Sequence, residues 1–440
     1  MSRVINNYFD GLQVTSRHKS IYFVIMFAYF FEQFDNWNFG YVVPSIMQAM
    51  HLDMSAIGTI TFWYFIGMMT GSIIGGILAD MLGRKNAFQL GVLIFSGSSV
   101  VCGFADNIHL LTVARAMTGF GVMCVNMSAI PYLTEISPAE ARGKWQNLVA
   151  AVGFSAVPVI GVMCRAIIPL AEEAWRFIFY FGGVGLIAFF VGLRYLKESP
   201  RWLVARGRLE EAEQVVFEIT GKHVDLSEAA KNVQTKVPVM EVLTGMFRRQ
   251  YIKRTLVLLA IVVFTNPATF TVTNWTATLL KAHGFSLEDS LMATTIISVG
   301  VPAGLFFSSF VTDLGGRKLP IMCMLLILAV LGPIFGNMTG YWPVVLTGVV
   351  LTAVVMAMGF TVFSYTAESY PTRMRNTATG FHSSTGRLAV AAAQPLIPMA
   401  YAAYSFDGVF WIFSFLCFVP AVVIAIWGQR TGGKSLEEIA

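Results

Sequence analysis

Charge is what this sequence has least of. Asp, Glu, Lys and Arg make up 12% of its 440 residues, against roughly 25% in soluble domains, which excludes a water-soluble globule as the reading of the whole chain. Two hydrolase templates are also missing: there is no Gly-x-Ser-x-Gly elbow and no His-Glu-x-x-His pair. Without them nothing points to an enzyme. The five cysteines (Cys102, Cys124, Cys164, Cys323, Cys417) fall in apolar segments at no metal or redox spacing. They read as small buried side chains, and no metal or organic cofactor is expected.

What is present is apolar length. Hydrophobic residues make up 56% of the chain and the mean hydropathy is +0.66. A bilayer core of roughly 30 Å needs about 20 apolar residues per helix. Twelve such spans are predicted, at 20–48, 56–79, 86–105, 108–133, 146–169, 174–196, 253–280, 288–311, 319–337, 341–366, 377–402 and 407–428. The predicted fold class is thus an all-α membrane protein. One long polar stretch, 197–252, divides an N-terminal half (1–196) from a C-terminal half (253–440), and its segments 209–219 and 226–233 read as short amphipathic surface helices. The first apolar segment is too long for a cleaved secretory signal and stays as the first span.

The net charge of +5 invites a nucleic-acid reading, but the bases sit in loops between spans. Arg3, Arg17, Lys19, the even loops, the central stretch and the tail are basic, whereas odd loops carry Asp53, Asp106, Glu172, Glu173, Glu288, Asp289 and Asp407. By the positive-inside rule both termini are cytoplasmic, in a cell (inner or plasma) membrane. The partners expected are the lipid bilayer and a small molecule, not nucleic acid.

The halves are copies. Asp80-Met81-Leu82-Gly83-Arg84-Lys85 returns as Asp313-Leu314-Gly315-Gly316-Arg317-Lys318, a shift of 233 residues. The same shift carries Tyr132 to Tyr365, Glu135 to Glu368, Pro138 to Pro371 and Arg142 to Arg375. Two charged loops in one register mark a duplicated membrane domain.

These paired loops, with twelve spans in a six-plus-six duplication, resemble the major facilitator superfamily over essentially the whole chain. Three further stretches resemble its sugar-porter and organic-ion-transporter branch: Pro131 to Lys144, Glu198-Ser199-Pro200-Arg201-Trp202-Leu203, and the tail Thr431 to Ile439. The resemblance implies two six-helix bundles that rock around a central cavity, in a functional monomer. It also implies a cytoplasmic gate built from Asp80, Gly83, Arg84, Asp313, Gly316 and Arg317, with Glu135/Arg142, Glu368/Arg375 and Glu198/Arg201. Gly suits the tight turn, and Arg with Asp makes a breakable charge-assisted bond. On the plainer alternative the loop bases only anchor topology.

Sugar porters carry a Gln-Gln pair in the seventh helix, and here that helix reads Phe264 to Trp275 without one. A hexose is therefore disfavoured, while Asn266, Thr273 and Asn274 leave a polyol or sugar acid open. The first span holds the densest polar run at membrane depth, Glu32 to Asn38. Charge there costs about 2.5–3.5 kcal/mol on insertion scales and usually faces a cavity. Asp35 stands where proton-coupled relatives place an acid, and Arg115 matches the family's intramembrane Arg. An Asp35–Arg115 pair would either carry the coupling proton or hold helices together, and Glu32, three residues before Asp35, either shares the proton or bonds at the cavity wall. Arg387 lies about 15 Å into the eleventh span. A guanidinium matches a carboxylate bidentately, so Arg387 either grips an anionic substrate or is held by carbonyls or an acid of the other half. Trp37, Asn126, Asn274, Trp275, Tyr365 and Gln394 complete the candidate substrate contacts. The expected function is proton-coupled uptake of a small organic anion, such as a sugar acid or an aromatic carboxylate. Export by proton exchange, uptake of a neutral sugar or polyol, and a non-transporting nutrient sensor are the alternatives.

Overall fold

The computed structural model describes residues 3–4, 8–9, 12–227, 230, 239–311, 316–370 and 372–429. The N-terminal half contributes spans Ser16–Ala49, Met54–Leu82, Arg84–Gly103 and Ile108–Ile136. Its fifth span is Ala139–Phe154 running on into Ala156–Ile167, and its sixth joins Trp175–Gly182 to Leu186–Tyr195 through a 3-10 turn. The C-terminal half repeats the order with Ile252–Ala282, Leu287–Ile297 with Gly300–Val311, Lys318–Asn337, Tyr341–Glu368 and Thr372–Ala393. The last helix, Leu396–Trp427, contains a non-helical residue, Ser405, at φ 60° and ψ −167°. The chain turns there, so residues before Ser405 extend the eleventh span past Pro395 and those after it form the twelfth. The expected break near 402–407 falls at this residue.

Among the described residues, ten helices are long and apolar enough to cross a membrane by length and composition. The first and eleventh spans fall short because they carry the polar residues singled out above. Both are nonetheless continuous helices packed among apolar neighbours. Of the five cysteines only Cys323 departs from expectation: it is exposed on the ninth span, whereas the other four are buried.

In the central stretch Leu209–Thr220 is helical, and the predicted helix at 226–233 falls mostly outside the described residues. Thr15 Oγ1 donates to the Ile219 carbonyl at 2.6 Å, and Arg3–Val4 pair in parallel with Val224–Asp225. The surface helix is thereby tied to the start of the first span.

One end of the molecule carries the start of the first span, the end of the sixth, this surface helix and the Gly-Arg-Lys loops; it is called the basic end below. Packing between the halves is concentrated in the middle and at the opposite, far end. There a Cβ on Gly40 would lie 2.8 Å from the Asn274 carbonyl oxygen, and one on Gly58 3.1 Å from that of Gln394. Lys281 Nζ donates to the Pro44 carbonyl at 3.2 Å, and Gly161 abuts Thr295. Gly40 has to be Gly, since no side chain fits between two backbones this close.

Candidate functional site

Two constellations emerge, one in mid-membrane and one at the basic end. In the first, Glu32 and Asp35 are both fully buried on the first span. Glu32 accepts from Asn126 Nδ2 at 2.7 Å and from Gln33 Nε2 at 2.8 Å, so each of its oxygens has a donor. Gln33 also accepts from Trp37 Nε1 at 3.1 Å. Asp35 is served on one side only. Its Oδ1 accepts from Ser99 Oγ at 2.6 Å and from Asn38 Nδ2 at 3.1 Å, while Oδ2 is buried with no hydrogen-bond partner. Buried polar atoms are rarely left so, and an oxygen without a donor is where an added proton sits most easily.

The Asp35–Arg115 pair departs from expectation. Arg115 donates to the Asp35 backbone carbonyl at 3.3 Å rather than to its carboxylate. Its guanidinium lies over the rings of Tyr64 (4.2 Å) and Phe39 (4.6 Å), and its Nε has no partner. Aromatic faces stabilise a desolvated cation, which holds the Arg115 guanidinium near Asp35 without locking the carboxylate. Tyr64 donates in turn to Asn36 Oδ1 at 2.8 Å.

Arg387 approaches this cluster from the C-terminal half, close enough to Glu32 and Tyr64 to feel both electrostatically. Its hydrogen bonds go to the Ser383 hydroxyl and carbonyl one turn back, and its Nε is buried without a partner. No carboxylate is within ion-pair distance among the described residues. Farther along, Trp275 Nε1 donates to Gln394 Oε1 at 2.8 Å, and both side chains are buried. Asn274 is half-buried and presses its backbone on Gly40. A recess of about 20 Å³ between the halves is lined by Trp37, Tyr41, Thr273, Thr276, Ser298 and Thr352, among others. The Thr352 hydroxyl there has no partner.

Tyr365 does not belong with these residues. Its hydroxyl donates to the Gln429 carbonyl at 3.0 Å and accepts from the Gln429 amide at 3.1 Å, at the basic end. Tyr132, one repeat earlier, donates likewise to the Lys197 carbonyl. Each tyrosine fastens the exit of the last helix of its own half. Tyr365 is therefore a fastening of the fold and not a substrate contact.

At the basic end, Gly83 (φ 97°) and Gly316 (φ 79°) both take the left-handed turn expected of the repeated loop. Arg84 Nη1 bonds Asp80 at 2.7 Å, and its Nε lies 3.4 Å from Glu135. Glu135 also accepts from Ser199 Oγ at 2.5 Å. Glu198 is placed otherwise than the expected Glu198/Arg201 pairing: its Oε1 takes the backbone amides of Arg84 (2.7 Å), Lys85 (3.2 Å) and Ser199 (2.8 Å). A carboxylate on a helix N-terminus answers both the unsatisfied amides and the helix dipole. Burial nevertheless raises the Glu198 carboxyl above its ordinary value, against the lowering effect of those amides and of Arg84. Arg201 lies over the Tyr8 ring, and Arg142 Nη2 donates to the Ser137 carbonyl. In the second half Arg317 Nε donates to Glu368 at 2.5 Å, repeating Arg84 and Glu135. Asp313, and the side chain of Arg375, lie outside the described residues. These bonds all lie within one half or join it to the adjoining start of the central stretch.

Sequence reasoning missed Ser99, Asn38 and Ser383, which have no motif to announce them. It also missed Arg206, which donates to the Asp80 carbonyl at 2.9 Å beside Trp202 of the signature stretch, which donates to it at 2.8 Å. The string Gly428 to Ser435 spells a phosphate-loop pattern, but it follows a membrane helix, not the strand a phosphate loop requires.

A family model described as sugar (and other) transporter matches residues 17–440. The chain belongs to that family. The transporter is thus a member of the major facilitator superfamily, in its sugar-porter branch, and is not an enzyme. It is 28% identical to the inner membrane metabolite transport protein YdjE of Escherichia coli, over 98% of this chain and 97% of that one. It is 27% identical to the niacin transporter NiaP of Acinetobacter baylyi, over 98% of both chains. Among solved structures, an inward-facing, partly occluded form of the xylose transporter XylE from E. coli matches with a TM-score of 0.76. The identity there is 19%, over 96% of this chain and 100% of that one. This last likeness establishes the transporter's twelve-helix fold.

Proposed function

We propose that the chain is a proton-coupled symporter that takes up a small organic anion by alternating access. The observation that carries this reading is Arg387. It is a guanidinium at membrane depth between the halves, bonded to Ser383 and to no acid among the described residues, with a buried and unpartnered Nε. A cation at this depth is costly unless an anion completes it, and a substrate carboxylate would do so. A niacin transporter among the full-length relatives supports a carboxylate, niacin being a carboxylic acid. Trp37, Asn126, Asn274 and the Trp275–Gln394 pair stand on the helices around this position and would read the rest of the molecule.

Asp35 is the proton carrier in this scheme, because its Oδ2 is free whereas both Glu32 oxygens already have donors. Arg115 tunes it from the backbone side. With the basic end taken as cytoplasmic by the positive-inside rule, the contacts at Gly40, Gly58 and Lys281 close the outer side. The chain is then in its inward-facing state, and the loop bonds described above hold each half, the first together with the start of the central stretch, ready to meet when the bundles rock. A single chain builds both halves, so the working unit is a monomer. A neutral polyol or sugar is the second reading, favoured by the hydroxyl-lined recess with its free Thr352.

The test is equilibrium binding to purified protein of a panel of carboxylates, neutral sugars and organic cations, repeated on Arg387→Ala. Binding by carboxylates alone, lost in the variant, is the expected result. Binding by neutral sugars that the variant retains would reject the anion and leave the second reading. In vesicles with an imposed proton gradient, uptake against efflux separates symport from export.

A further inference from the structure

At the basic end a cavity of about 450 Å³ opens between the start of the first span, the end of the sixth and the surface helix Leu209–Thr220. Its lining includes Arg17, Arg194, Lys197, Phe217 and Glu218. Lys197 and Glu218 neutralise one another at 2.5 Å. Arg17 and Arg194 make no hydrogen bond or ion pair with any described residue, and Glu218 acts on Arg17 only at longer range, so the cavity lining carries three bases against one acid. The carbonyl of Ile219, which would otherwise turn the negative end of the surface helix toward an anion, is taken by Thr15.

The surroundings are those of a membrane surface. Tyr195 and Phe217 are each 39% exposed at the cavity, where aromatic rings settle at the headgroup level. Just inside, the first span exposes Phe23 and the sixth exposes Leu193, both more than half exposed. Cationic groups at headgroup depth with apolar surface directly inward fit a molecule that is anionic at one end and hydrocarbon at the other. Basic pockets between helix ends at the cytoplasmic surface are suited to such headgroups.

We propose that this cavity binds the phosphodiester headgroup of an anionic membrane lipid, gripped by Arg17 and Arg194, with its acyl chains lying along Phe23 and Leu193. Two Arg forks match phosphate oxygens bidentately. The lipid bridges the first span, the sixth span and the surface helix, and so holds the central stretch against the N-terminal half. The site is separate from the Arg387 region and independent of which substrate is carried.

Delipidated protein in neutral detergent is titrated with phosphatidylglycerol, with phosphatidylcholine and with inorganic phosphate, reading bound lipid by native mass spectrometry and the melting temperature in parallel. Phosphatidylglycerol is expected to bind and raise the melting temperature, the other two not. The double variant R17Q/R194Q is expected to weaken phosphatidylglycerol binding on the order of tenfold or more. R248Q/R249Q, which removes two exposed charges at the end of the central stretch, just before the seventh span, controls for net charge and is expected to bind as the parent does. Equal binding of phosphatidylcholine, equal loss in the two double variants, or unchanged binding in R17Q/R194Q each overturns the proposal. Full stabilisation by inorganic phosphate alone replaces the lipid with a soluble phosphate.

Discussion

Replacing Gly83 by Ala perturbs two things at once, and the structure separates them. The residue sits at φ 97°, where a Cβ costs about 1–2 kcal/mol. That Cβ would also lie 2.1 Å from Glu198 Oε2, so the carboxylate has to swing away and give up the amides of Arg84, Lys85 and Ser199. Hydrogen bonds to a charged group contribute about 1.5–3 kcal/mol, and water at this half-open end recovers part of the loss. A total of about 2–4 kcal/mol follows for Gly83→Ala, which lowers the melting temperature of a half of this size by roughly 5–15 °C. Glu198→Ala alone loses only the hydrogen bonds, about 1.5–3 kcal/mol. In the double variant no carboxylate remains to be displaced, so adding Gly83→Ala costs only the backbone strain. The assay is a double-mutant cycle by thermal unfolding in detergent, and the expected coupling is about 1–2 kcal/mol. Additive single effects would refute the reasoning, since they would mean that Glu198 does not bond the amides next to Gly83.

Asp35→Asn keeps the shape but removes the proposed proton site, so accumulation driven by a pH gradient should vanish while substrate counterflow survives. Loss of both would make Asp35 structural. Glu198 predicts a pH dependence of stability. Burial raises its folded-state value above the ordinary value, so the folded protein holds that proton more tightly than the unfolded chain. Its contribution is full below the ordinary glutamate value and falls as pH rises through the higher folded value. Melting curves from about pH 4 to about pH 7 should therefore slope less in Glu198→Gln than in the parent. Gly40→Val forces the far end apart, because its side chain would enter the Asn274 backbone. A Thr276→Cys reporter, which lines the recess behind that contact, should then react with an impermeant thiol reagent from the far side. Unchanged labelling would show that closure does not depend on Gly40.

The architecture could be read in advance because membrane helices announce themselves by length and because the 233-residue shift ties two loops together. The same shift holds the lesson of Tyr365. Taken as one more aromatic near a cavity it suggested a substrate contact, but its repeat mate Tyr132 lies beside a signature loop, and both turn out to fasten helix ends. Equivalence between repeats carried more than residue type. Arg115 failed for another reason. Opposite charges at one depth suggest an ion pair, but whether the fork reaches the carboxylate depends on side-chain packing that spacing does not encode. Here Tyr64 and Phe39 hold the guanidinium, and the Asp35 carbonyl takes its hydrogen bond. Glu198 was assigned to an Arg one turn away, when the nearer demand came from the bare amides that begin the third span.

The two spans that are too polar to qualify as membrane helices by composition alone bear on how the chain is made. The first leaves the ribosome before the third and fourth, yet Ser99 and Asn126, which serve Asp35 and Glu32, belong to those later spans. It must therefore enter the bilayer with its acids served only by Gln33 and Asn38 of its own helix, or wait at the mouth of the insertion machinery until those helices follow. The eleventh meets the opposite circumstance. The second and seventh spans against which it packs are already in place when it emerges, so Arg387 passes into a prepared protein surface and never has to face lipid.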